Sequence, residues 1–331
     1  MSGRNMPIEP TAKPNNGRSQ PANVWKQIVA SLGKGVVILF LSTSFVLGAS
    51  ARLLQPYSGY DIWFLSMSTA LAASAGQARE QVTKLVAQVQ RADYEGDRAA
   101  LKRLHGELAK FSDKKDLAAQ VEYWRGFALW RRAINGFNEP GDVSDMQVDL
   151  RQAVEEFTEA QRQRPNFVDA KVGALSSLGM LGASMLRSKP AGLKDPEIQE
   201  IWAKAMQLIK EADAIDAQNP RLVWAKGPNV WHIPVEKGGG PDKVIEMYEK
   251  ALDSIQEHKV VSSTDPLEPS WGEPELLMSL AWSKLNQANP DVNTAERYAQ
   301  SALKLVPYWH YTRDILLPQI EAAKAKKMAA K

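Results

Sequence analysis

The sequence predicts an all-α protein: an irregular array of antiparallel helix pairs that follows an N-terminal apolar segment. From about residue 77 nearly to the end of the chain, apolar residues recur at spacings of three and four, and Lys and Arg occupy the opposite face. No stretch of useful length alternates apolar and polar residues, as a half-buried β-strand would. One pattern of small and bulky residues recurs in four predicted helices, which indicates internal repetition.

Composition and charge exclude several classes of function. Of the 331 residues, 44% are hydrophobic and 24% are charged, the proportions of a folded protein with a core. The absence of cysteine excludes disulfides, thiolate metal sites and cysteine nucleophiles. The net charge of +3 is concentrated at the front, where residues 1–51 carry five Lys or Arg and one Glu. The near-neutral remainder offers no electrostatic reason to bind nucleic acid, and we expect no such partner.

The first 51 residues have the order of an export signal. Lys34 is followed by 17 uncharged residues, which end in the small residues 49–51 before Arg52. If this segment is cleaved, the body is soluble in the periplasm; if it is retained, it anchors the body to the inner membrane, the only predicted membrane contact. A buried core helix is the alternative. The predicted divisions are a signal peptide or signal anchor over 1–51, a linker over 52–79 and a helical-repeat domain over 80–331.

Ten amphipathic stretches predict the helices of the body. Asn219 is the expected N-cap of the helix that Pro220 begins, and Pro241 begins the next one with Asp242 in its first turn. In chain order the stretches are REQVTKLVAQVQRA, DRAALKRLHGELAKF, LAAQVEYWRGFALWRRAI, VDLRQAVEEFTEAQRQ, FVDAKVGALSSLGMLGASML, PEIQEIWAKAMQLIKEADAI, PDKVIEMYEKALDSI, PELLMSLAWSKLN, NTAERYAQSALKLV and TRDILLPQIEAAKAK, with NPRLVWAKGPNVW as a further, first helix of a pair.

Four of these helices share a spacing: a small or apolar residue, then a residue four positions on, then an alanine three positions later. The small residues let neighbouring helices approach, and the bulkier middle residue fills the space between pairs. Successive copies lie 52, 39 and 51 residues apart, so the array is irregular and we expect a compact curl. The copies are Ala153, Phe157 and Ala160; Ala205, Ile209 and Ala212; Val244, Tyr248 and Ala251; and Ala295, Ala299 and Ala302.

The spacing resembles the second helix of a tetratricopeptide repeat, whose period is about 34 residues. Together with NPR, GPNVWHIP, KGGG, PSWGEPE and YWHYTRDILLPQI, it resembles a group of exported bacterial tetratricopeptide-repeat proteins over roughly Leu117 to Lys324. A fainter similarity is to the periplasmic T component of tripartite ATP-independent transporters. The resemblance implies a TPR-like, irregular α-solenoid outside the cytoplasm. It carries no catalytic residue onto this chain.

The glycine run at 238–240 raises the possibility of a phosphate-binding loop. The P-loop consensus continues with Lys and then Ser or Thr, whereas here Pro241 removes a backbone donor and Asp242 would repel phosphate. Glycine accepts the positive φ of a tight reversal. We therefore interpret the run as a turn between two helices.

No motif indicates catalysis or a metal site. None of the four histidines, His105, His232, His258 and His310, stands at a ligand spacing, and no nucleophile motif occurs. For His232 and His310, each beside a tryptophan, a packed or hydrogen-bonded role is favoured. We expect no enzyme, no cofactor and no metal.

The ten tryptophans point to binding, because the first helices of a repeat array line its concave surface. Trp offers a large contact area with few torsions to freeze, although for each one a place in the core is the alternative. The candidate partner-binding residues are Trp124, Arg125, Trp130, Arg131, Trp224, Lys226, Asn229, Trp231 and Trp282.

Two functions follow from these residues. The first is an exported, non-catalytic scaffold that binds a protein or peptide in an open concave groove. The alternative is a periplasmic ligand-binding or transport-accessory protein of the T-component kind, which would enclose a pocket of several hundred Å³ lined by Trp and polar groups. The sequence leaves the partner and the oligomeric state open.

Overall fold

The computed structural model describes residues 60–137, 143–187, 192–257 and 263–329, and the predicted export segment lies outside them. These ranges contain eleven α-helices and no β-strand, which confirms the all-α prediction. Within them, every helix is too short or too polar for a membrane span. The helices are α1 (Tyr60–Glu95), α2 (Arg98–Leu108), α3 (Ala118–Gly136), α4 (Val143–Gln163), α5 (Val168–Leu186), α6 (Pro196–Asp216), α7 (Pro220–His232), α8 (Pro241–Gln256), α9 (Glu273–Asn286), α10 (Val292–Leu305) and α11 (Leu317–Ala329).

The predicted linker needs correction from Tyr60 onward. Residues 60–79 are helical and continue without a break into the rest of α1, which is 36 residues long. Ala, Leu, Met and Ser predominate here, and no proline interrupts the stretch, so the backbone can remain helical even though the amphipathic pattern begins only later.

Neighbouring helices pack in succession along the chain, with α3 against α4, α5 against α6 and α9 against α10. The twelve residues of the repeated spacing are all buried. Phe157 shows how close this packing is. A Cβ atom on Gly126 would come within 3.1 Å of its ring, and one on Gly173 within 2.2 Å. The small positions of α3 and α5 thus admit the bulky residue of α4.

The joint between α7 and α8 has the predicted form. Asn219 caps α7 by accepting hydrogen bonds from the backbone of Arg221 and Leu222, at 3.0 and 3.2 Å. In the glycine run, the three N–H groups of 238–240 donate to the carbonyls of Val235, Pro234 and Val230, respectively. Since these donors are already used, the run is a turn and has no free cradle for phosphate.

The segment before α9, residues 263–272, crosses back over the array to α3. Leu267 is completely buried, and its carbonyl accepts a 2.8 Å hydrogen bond from Trp124 Nε1. Trp271 donates from its Nε1 to the hydroxyl of Tyr123, also at 2.8 Å. We call residues 263–272 the crossing segment; it covers the face of α3 that the sequence predicts to line an open groove.

The two ends of the array are in contact. The ring of Tyr94 at the end of α1 lies 5.1 Å from Trp309 and 6.4 Å from Tyr308, in edge-to-face geometry. Arg91 lies over the Tyr308 ring at 4.7 Å. The array is therefore curled on itself, as the uneven repeat spacing predicts.

A candidate ligand cavity between the ends of the array

A cavity of about 350 Å³ lies where α1, α3, α7, α8, α9 and residues 309–311, shortly before α11, meet. Its walls are mainly aromatic and aliphatic, with a small group of polar side chains. The cavity is partly open to solvent, and Pro228, which is exposed on α7, is one of its lining residues. The six aromatic side chains of the wall are Trp224, Trp231, Tyr248, Trp282, Trp309 and Tyr311.

The tryptophans of the wall are held in place by contacts with each other and with α9. The rings of Trp231 and Trp282 lie 5.1 Å apart at an angle of 60°. Trp224 donates from Nε1 to Ser279 Oγ at 2.9 Å. Because these contacts already fix the rings, a ligand can bind against them with little further loss of side-chain entropy.

One wall of the cavity depends on the Gly-Pro pair in α7. Because Pro228 has no N–H, the carbonyl four residues earlier, that of Trp224, lacks its helical partner. The hydroxyl of Tyr248 donates to this carbonyl at 3.1 Å. Gly227 makes room for it, since a Cβ at this position would stand 1.7 Å from the hydroxyl.

The polar part of the cavity is a buried ion triad. Arg131 donates from Nε to Asp93 Oδ2 at 2.7 Å and from Nη2 to Glu275 Oε1 at 3.2 Å. The hydroxyl of Tyr94 donates to the same oxygen of Glu275 at 3.0 Å, and Gly272 N–H donates to Oε2 at 2.8 Å. These three charged residues come from α1, α3 and α9, so the triad connects the first and third described helices with the ninth.

Two carboxylates share one guanidinium in this triad. Burial raises the pKa of Asp93 to about 6, and the negative charge of Glu275 adds to the rise against the opposing effect of Arg131. For Arg131, burial acts to lower the pKa, but the Asp93 and Glu275 carboxylates outweigh it and the pKa is raised. The guanidinium thus stays charged while one carboxylate titrates close to neutral pH.

Four of the predicted binding residues line the cavity: Trp224, Trp231, Trp282 and Arg131. Arg131 is itself buried, and its guanidinium lies 5.8 Å from the Trp271 ring centre. These four side chains, which the sequence assigned to an open concave face, therefore line a partly open cavity.

The other five predicted residues lie elsewhere. Trp124 and Trp130 have no exposed surface, and the crossing segment packs against both, so neither side chain is accessible to a partner in this structure. Arg125 is paired with Glu122 and Glu156 inside the array, and Lys226 is paired with Asp213. Asn229 is half-buried on α7 but does not line the cavity.

Sequence reasoning missed several residues of the cavity. The sequence analysis did not single out Asp93, Glu275 or Trp309, all of which line the cavity. Tyr248 was predicted to be a repeat core residue, and it is one, but it also forms a wall. The sequence signal for this part of the cavity was the Gly-Pro pair inside a predicted helix. Both residues disfavour a helix interior, so their presence there indicates that tertiary contacts compensate for them.

Within the described ranges, no three His, Asp or Glu side chains come together as a metal site would require. His232 lies in the cavity wall, and His310 bonds through Nδ1 to Asp314 at 2.8 Å. No known protein family and no curated protein matches this chain.

Proposed function

We propose that the protein is a non-catalytic binding protein that encloses a small ligand in the aromatic cavity. The observation that carries this proposal is the cavity itself, whose volume of about 350 Å³ and mainly aromatic walls with a few convergent polar groups are typical of ligand sites. Of the two functions suggested by the sequence, this is the alternative of the T-component kind.

The crossing segment argues for an enclosed ligand over a peptide in a groove on α3. In the scaffold function that the sequence suggested, α3 presents Trp124 and Trp130 to a protein or peptide on an open concave surface. Both rings are covered, and Leu267 and Trp271 occupy the space that a peptide would need. A groove at this place would require the removal of well-packed core side chains.

The finer fold and the location belong to the same proposal. The successive packing of helices and the buried repeat positions support an irregular, TPR-like α-solenoid. The apolar segment over 35–51 and its basic flank support export, with the body in the periplasm and the membrane touched only through residues 1–51.

Native mass spectrometry of the full-length protein tests the proposal. We expect the protein to retain a small molecule, and the molecule released by denaturation to rebind to stripped protein with a change in tryptophan fluorescence. The Trp282→Ala variant should bind about tenfold more weakly, because it removes a ring of the wall. The matched control is Leu285→Ala on the same helix, which packs against α10 and α11 and does not line the cavity.

Equal binding by both variants would place the ligand elsewhere and contradict the proposal. A wild-type protein that neither carries nor rebinds any molecule would do the same. The second candidate, a peptide partner, is favoured by one observation: the cavity is partly open and the exposed Pro228 lies in its wall, so an apolar side chain of a partner could enter. Co-purification of a protein that Trp282→Ala releases, with no small molecule retained, would support it.

A further inference from the structure

The charges that line the cavity are unbalanced toward the negative side. Asp93 and Glu275 bring two carboxylates, and Arg131 brings the single permanent positive charge. All three are buried, with exposed fractions of 4% or less. Arg131 offsets one of the two carboxylates. The other groups that donate to them, the Tyr94 hydroxyl, Gly272 N–H and the Asn135 amide, are neutral, so the wall keeps a net negative charge, and a buried ion without a counter-ion costs several kcal/mol.

The aromatic side chains around this triad favour the same sign of charge. The face of an indole or phenol ring carries partial negative charge and attracts cations, most strongly where water is excluded. Four tryptophans and two tyrosines line the cavity. Arg131 already makes such contacts on its far side, at 5.3 Å from the ring centres of both Phe127 and Trp130.

We propose that the cavity binds a small organic cation, an alkylated ammonium group enclosed by the aromatic rings and neutralised by the Asp93 and Glu275 carboxylates. This inference rests on the proposed function, since it names the chemical class of that ligand. The ammonium supplies the missing positive charge, and its alkyl groups match the apolar walls, which a strongly hydrated metal ion would not.

An anionic ligand fits the cavity less well. Nε and Nη2 of Arg131 already donate to Asp93 and Glu275, so an anion would have to compete with two buried carboxylates for the same guanidinium. It would also meet their negative charge at close range, in a region of low dielectric constant. The geometry therefore selects cations over anions.

A comparison of probes that differ in charge, on the wild-type protein, tests the sign of the charge that the cavity prefers. Choline and tetramethylammonium are the cations, 3,3-dimethylbutan-1-ol is the uncharged carbon analogue of choline, and acetate is the anion. We expect tryptophan fluorescence titrations to show choline binding about thirtyfold more tightly than the uncharged analogue. Equal affinities, or tighter binding of acetate, would overturn the inference.

Failure of this inference is distinguishable from failure of the proposed function. If the protein retains a neutral or anionic molecule whose binding Trp282→Ala weakens, the proposed function stands and the cation does not. If neither any probe nor any retained molecule binds, both fail.

Variants of the carboxylates and rings separate their contributions. Glu275→Gln should weaken choline binding about tenfold while leaving the uncharged analogue unaffected, and Trp282→Ala should weaken both. Leu285→Ala should change neither. If Glu275→Gln does not fold, as judged by circular dichroism, the pH dependence of the wild-type protein tests the contribution of carboxylate charge through Asp93 instead.

Choline affinity should fall as the pH is lowered, because protonation of Asp93 removes one of the two negative charges. With a pKa of about 6, only about a tenth of Asp93 is ionised at pH 5. If loss of this charge weakens binding about tenfold, as expected for Glu275→Gln, affinity at pH 5 should be about fivefold lower than at pH 7.5. The uncharged analogue should show no such change, and a flat profile for choline would contradict the inference. The titratable or charged groups that face Asp93 or share its cavity are Tyr94 on α1, Arg131 on α3, His232 on α7, Tyr248 on α8, Glu275 on α9 and Tyr311.

Discussion

At the scale of single residues, the cavity depends on Gly227, whose lack of a side chain leaves room for the Tyr248 hydroxyl. Gly227 and Pro228 both weaken a helix interior, Gly through backbone entropy and Pro through a missing hydrogen bond. In α7 the two defects complement each other, since the carbonyl that Pro228 frees is the one that the Tyr248 hydroxyl reaches across Gly227. Local propensity alone would have marked this place as the end of the helix.

Gly227→Ala should therefore destabilise the fold and distort the cavity. The new Cβ would stand 1.7 Å from the Tyr248 hydroxyl, which forces the ring to move and breaks its hydrogen bond. We expect a loss of about 1–3 kcal/mol in the free energy of unfolding, measured by urea denaturation. Gly179→Ala is the control: nothing lies within 4 Å of its Cβ position in α5, so it should raise stability by about 0.5–1 kcal/mol. Equal stability of the two variants would refute this account.

At the scale of elements, periodicity predicted the helices but not the crossing segment. Helix signals are local, because they arise from neighbours three and four positions apart. The contacts of Leu267 and Trp271 join residues far apart in the chain, and no period records them. For this reason the sequence placed Trp124 and Trp130 on an open face, whereas the crossing segment buries them.

Leu267→Ala tests whether the crossing segment is part of the core. Its side chain is completely buried among the helices, so truncation leaves a void and should cost about 2–5 kcal/mol in the free energy of unfolding. Val235→Ala, at a side chain that is 76% exposed, should change stability by less than about 0.5 kcal/mol. Urea denaturation measures both, and a Leu267→Ala variant as stable as the wild type would show that the segment is only loosely attached.

At the scale of the whole molecule, the cavity exists because the array closes on itself. Asp93 lies at the end of the first described helix and Trp309 close to the last one, yet both line the same space. The sequence could predict a curl from its uneven repeats and could single out Trp224, Trp231 and Trp282 as binding residues. It could not show that these three rings would meet Asp93 and Glu275, since that depends on how small rotations between successive helices add up.

Tyr94 is the residue through which this closure can be tested. Its ring packs against Trp309 at 5.1 Å and Tyr308 at 6.4 Å, and its hydroxyl donates to Glu275. Tyr94→Phe keeps the ring and should cost about 0.5–1.5 kcal/mol with the cavity intact. Tyr94→Ala removes the contact between the ends and should cost about 3–5 kcal/mol in urea denaturation, together with most of the choline affinity. If Tyr94→Ala bound choline as the wild type does, the cavity would not depend on contact between the two ends, and its walls would have to be held by α7, α8 and α9 alone.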